Sequence, residues 1–106
     1  MPRYLIEGSY TEEGTKGLLK EGGTSRRDTV TKLIEGMGGS VEAFYYTFGH
    51  RDVIVIVSVP DESTALALSM AVNQSGKVRL STHQLLTAED VDRAAKQTVG
   101  YRPPGA

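Results

Sequence analysis

A chain of 106 residues with 39% apolar and 24% charged side chains has the composition of one soluble globular domain, large enough for a modest core of its own. A net charge of −1 offers no broad electrostatic footprint for nucleic acid or an anionic membrane, and the lack of cysteine excludes disulfides, thiolate catalysis and Cys-type metal sites in this chain. No apolar run approaches the ~20 residues of a membrane helix, and "MPRYLIEGSY" lacks the basic start and long apolar stretch of a signal peptide; a cytoplasmic protein is expected.

In chain order, "RYLIEGSY" (3–10) alternates as a first strand, with Tyr4, Ile6, Gly8 and Tyr10 on one face and Leu5 among Arg3, Glu7 and Ser9 on the other. Residues 11–21 carry Gly14 and Gly17, each costing a helix ~1 kcal/mol relative to Ala, and read as a short helical turn or an ordered loop. A helix follows in which Val30, Leu33, Ile34 and Met37 keep helical spacing; Thr24 or Ser25 can cap its start, and Gly38–Gly39 can end it. "SVEAFYYTF" (40–48) is a second, aromatic-rich strand and "DVIVIVSV" (52–59) a third, joined as a hairpin by Gly49–Arg51.

Pro60 breaks the third strand, Asp61 can cap a helix over 62–74, and Gly76 stops it. "KVRLSTHQLL" (77–86) is a fourth strand. Thr87 with Asp90 three residues on has capping-box spacing and opens a last helix over 87–98, after which the Pro103–Pro104 pair keeps the tail to residue 106 extended.

The order βαββαβ plus a C-terminal helix predicts an α+β, ferredoxin-like domain spanning residues 1–106. Two crossovers would place the helices on one face of a four-stranded antiparallel sheet of order 4-1-3-2. The third strand, apolar without a break from Val53 to Val57, is then greasy on a face that the helices do not cover. Burying each such side chain is worth ~1.5–3 kcal/mol, so a homodimer or higher oligomer formed by packing sheet faces is expected.

With these elements laid out, the chain resembles the GYD-domain family of small bacterial proteins. The resemblance is carried by "YLIEGSYTEEGTKGLLKE", the arginine pair in "TSRRDTVTKLIEGMGG", "FYYTFGHRDVIVIVSVPDESTALAL" and "SGKVRLSTHQLLT", covering residues 4–90 or so in order. It implies a ferredoxin-like, dimeric α/β-barrel fold and no established reaction. The family's Gly-x-Tyr-Asp element stands here as Gly49-His50-Arg51-Asp52, with Arg51 in place of the tyrosine.

Three groups of residues could carry chemistry. Arg26 and Arg27 fall near a helix start, where cations oppose the macrodipole by ~0.3–1 kcal/mol each; a bound small anion would compensate, and so would pairing with Glu12, Glu13, Glu21 or Asp28. His50 and Asp52 are two apart at a hairpin end, either an acid/base dyad or turn chemistry in which Asp52 accepts backbone N–H groups. His83 and Arg79 alternate onto one face of the fourth strand, where Glu7 of the neighbouring strand can join them in a polar cluster or a hydrogen-bonded dimer contact.

Tyr46, in the aromatic strand, is a candidate pocket lining, although core and interface packing explains such a strand more simply. Glu42 among these aromatics has the wrong sign for an RNA-binding sheet. Two histidines without His-x-His or His-x3-His spacing give no metal site, and no cofactor is expected. Three functions compete: a binding module for a small anionic metabolite, a cofactor-free enzyme (isomerase, lyase or monooxygenase-like) with His83 or His50 as base, and a purely structural oligomer.

Overall fold

In a computed structural model of all 106 residues, the chain runs β1 (Arg3–Tyr10), α1 (Glu12–Glu21), α2 (Gly23–Gly36), β2 (Ser40–Tyr46), β3 (Val53–Ser58), α3 (Glu62–Gln74), β4 (Val78–Leu85) and α4 (Ala88–Ala95). Every strand pair is antiparallel, and the order β2-β3-β1-β4 is that of a ferredoxin-like sheet. In β1, Tyr4, Ile6 and Gly8 are buried while Leu5 and Glu7 are only half-buried, so the face that alternation selects is the one the helices cover.

The core lies between that face and the helices. Tyr4 and Ile6 of β1 and Val53, Val55 and Val57 of β3 meet Ile34 of α2 and Ala65 and Leu68 of α3. Ile54 and Ile56 point to the opposite, open face and are half-buried. No element of the chain packs over that face.

The segment expected as a turn or loop, residues 11–21, is instead a ten-residue helix. Its ends supply what its glycines withhold. Thr11 accepts the Gly14 backbone N–H, Glu12 and Glu13 sit at the positive end of the dipole, and Lys20 sits at the negative end. Gly14 is there because α1 presses on the start of β4: a Cβ would come within 1.9 Å of the Lys77 carbonyl oxygen.

The start of α2 also differs from expectation. Gly22, at φ 92°, ends α1 and caps α2 in one residue, and no side chain of Thr24 or Ser25 caps the helix. The hairpin strands are each shorter than expected, since residues 47–52 form the connection, closed by a hydrogen bond from the Thr47 N–H to the Asp52 carbonyl at 2.8 Å. Helix α4 closes at Ala95, with the expected capping box between Thr87 and Asp90 in place.

Candidate ligand site

Helix α2 carries both arginines, and their side chains diverge. A helix advances about 100° per residue, so neighbours cannot share a face. Arg27 is exposed and pairs with Asp28 at 3.2 Å. Arg26 is half-buried, turns toward the sheet, and has no carboxylate within ion-pair distance. The backbone at the start of α2 lies beside Glu21 and Asp28, whose charges oppose an anion there. Only Arg26 is left as an unpaired cation of the pair.

Arg26 borders an apolar cavity of about 70 Å³ between α2, α3 and the sheet, whose other lining residues include Ile6, Val30, Phe44, Val53, Leu68 and Val72. A space of that volume holds roughly two water-sized groups. Arg26 and Tyr10 also border a wider groove of about 440 Å³ between α1, α2 and α3, which brings in Gly14, Gly17, Glu21 and Lys77. Arg26 therefore borders both the apolar cavity and the groove beside it.

Two phenols frame it. The Tyr46 hydroxyl donates to the Gly23 carbonyl at 2.9 Å, tying β2 to the first residue of α2. Phe44 packs edge-on against the Tyr46 ring with centroids 5.3 Å apart. Burial raises the Tyr10 phenol above its ordinary value, the neighbouring Tyr46 adds to the rise, and Arg26 pulls the other way. The Tyr46 phenol is raised too, again chiefly by burial. Both phenols are neutral at physiological pH and able to donate hydrogen bonds.

The open face of the sheet holds a second cluster. Glu7 receives His83 Nε2 at 3.4 Å and Arg51 Nε at 4.0 Å, and Arg51 also donates to Ser81 Oγ at 3.1 Å. Arg79 is exposed, further along β4, and makes no ion pair. The arginine beside Glu7 is thus Arg51 from the hairpin, a contact across the sheet that strand alternation could not reveal. At the other end of the same face, Glu42 accepts from Arg3 Nε at 2.9 Å and from Ser58 Oγ at 3.0 Å.

His50 is exposed in the connection between β2 and β3, before the strand geometry begins, and no contact joins it to Asp52. The Asp52 carboxylate instead accepts the Tyr10 backbone N–H at 2.8 Å. Tyr10 itself was legible only as the last residue of β1's core-facing set. The available signal was a hydroxyl-bearing ring closing an otherwise apolar alternation just before Thr11.

The sequence matches the GYD domain over residues 4–95. The chain belongs to the GYD-domain family. No curated protein and no solved structure matches it. Within this GYD-domain protein, no helix is long and apolar enough to cross a membrane.

Proposed function

We propose that this GYD-domain protein is a cytoplasmic homo-oligomer that binds a small anionic metabolite at Arg26. The ligand's carboxylate or phosphate lies against the guanidinium and the Tyr10 hydroxyl, its apolar part enters the cavity against Phe44 and Val53, and any remainder lies in the groove toward Lys77. The observation that carries this reading is Arg26 itself, the one charged side chain among fourteen cavity-lining residues, with no carboxylate partner of its own. Desolvating a guanidinium without a counter-charge is costly, and an anion offsets that cost while the apolar wall selects an amphipathic one. The cavity volume favours a short carboxylate over a bulky one.

Sheet-face packing of two copies supports the oligomer, because it would cover Leu5, Ile54 and Ile56. A cofactor-free enzyme is the second reading, favoured by the contact between Glu7 and His83, in which the carboxylate can orient the imidazole as a base. No cavity of the single chain borders that pair, which ranks it behind the Arg26 site.

The test is a thermal-shift and calorimetric series with butyrate, benzoate and inorganic phosphate on the wild type, Arg26→Ala and Arg27→Ala. A ligand at a hundredfold its Kd adds ~2.7 kcal/mol of stability, about ten degrees in Tm for a domain of this size. The expected result is binding by wild type and Arg27→Ala and none by Arg26→Ala. Equal binding by all three chains, or no heat and no shift with any anion, overturns the assignment.

A further inference from the structure

Helix α1 turns one stripe of its surface toward the groove beside Arg26: Gly14, Gly17, Leu18 and Glu21, spaced three and four apart. Two of these positions are glycine, a residue that a helix interior disfavours. Gly14 is explained by its approach to the Lys77 carbonyl, and it is the one buried residue of α1. Gly17 has no such reason. It lies mid-helix without a positive φ, it is exposed, and a Cβ there would meet nothing within 4 Å.

An interior helix glycine that answers to neither sterics nor φ calls for a functional reason. The open space over Gly17 is the groove itself. Its other walls are Leu33 of α2 and Ala71 and Val72 of α3, so they are apolar and, at Ala71, short. A side chain at position 17 would project among them. Apart from Arg26, the charges of the groove balance. Lys77 abuts Gly14 at one end of the stripe, and Glu21 is its last residue, about 10 Å along the helix. Such a groove has no need of a second anionic group and suits a hydrocarbon chain instead.

We infer that Gly17 is a specificity-determining residue of the Arg26 site, and that the ligand is a carboxylate branched beside its acid group into two unequal apolar arms. The inference rests on the anion site proposed above. The short arm enters the cavity, where about 70 Å³ holds roughly two water-sized groups. The long arm runs along the groove of about 440 Å³, over the bare backbone at Gly17 and against Leu18, Leu33 and Val72. Arg26 borders both spaces, which places the carboxylate at the fork. Gly17 gives up helix propensity for clearance, and the side chain at this position sets the length of arm that the site accepts.

The probes are butyrate, which supplies one short arm, and 2-ethylhexanoate, whose ethyl and butyl arms fit the two spaces. Calorimetry gives the ratio of their dissociation constants in wild type, Gly17→Ala and Gly17→Leu, and circular dichroism shows that each chain is folded. The expected result is a wild-type preference for 2-ethylhexanoate of about tenfold or more, falling to roughly threefold or less in Gly17→Leu and to an intermediate value in Gly17→Ala. A preference that stays at the wild-type value in Gly17→Leu, or a wild type that binds butyrate and gains nothing from the longer arm, overturns the inference and leaves the Arg26 site standing. A wild type that binds neither acid overturns the inference, and with benzoate and phosphate also silent it overturns the Arg26 site as well.

Discussion

The Asp52 carboxylate accepts the backbone N–H of Tyr10 at 2.8 Å, while the Asp52 N–H donates to the Gly8 carbonyl at 2.9 Å. One residue thereby holds the end of β1 against the entry to β3, and it holds Tyr10 where its ring reaches the Arg26 cavity. Removing the acceptor leaves a partly buried N–H unpaired, a loss of ~1–3 kcal/mol. Asp52→Ala is expected to lower the urea midpoint accordingly, and His50→Ala, at an exposed turn position, to leave it unchanged. A His50→Ala chain less stable than Asp52→Ala would contradict this division of roles.

The two interior glycines of α1 predict opposite responses to the same substitution. Gly14→Ala drives a Cβ into the Lys77 carbonyl and separates α1 from β4, at ~1–3 kcal/mol or more. Gly17 has nothing within 4 Å of where its Cβ would lie, so Gly17→Ala improves helix propensity and gains ~0.5–1 kcal/mol. Chemical denaturation of the two variants without ligand checks the sign of each.

Alkaline pH probes the site's phenols. Burial first, then the neighbouring Tyr46, raises Tyr10 above its ordinary 10.0. Because the folded state holds the proton more tightly than the unfolded chain, this contribution is fully present below about pH 10 and is lost as pH rises through the folded-state value. Tyr10→Phe is expected to show a shallower decline in unfolding free energy across that range than the wild type. Parallel declines in the two chains would show that Tyr10 does not feel its burial.

Adjacent residues of β3 separate the two faces of the sheet. Val55 is buried against the helices, and a carboxylate there costs on the order of 4 kcal/mol, enough to unfold the domain. Ile56 faces the open side, so Ile56→Asp is expected to keep the circular dichroism of a folded chain while losing the proposed dimer in sedimentation. An Ile56→Asp protein that is both folded and dimeric would count against sheet-face pairing.

Local chemistry by itself determined much of this protein. The period of two in β1 assigns Tyr4 and Ile6 to the core, the unbroken apolar run marks β3 as central, and the caps Asp61 and Thr87 start their helices where the sequence places them. These features depend on backbone periodicity and on hydrogen bonds spanning three residues, so neighbouring residues suffice to encode them. Helix α1 was hidden because glycine propensity speaks against it, and only the contact with Lys77 explains why Gly14 is required. The site was hidden for the same kind of reason. Two consecutive arginines are equivalent as letters, and packing of α2 on the sheet turns Arg26 toward the cavity and leaves Arg27 beside Asp28. Likewise Arg51, rather than Arg79, reaches Glu7, because the entry to β3 lies beside the end of β1 and brings together side chains forty-four positions apart (7 and 51). Such pairings are set by where whole elements lie against one another, which is decided by burial of the core and not by the identity of adjacent residues.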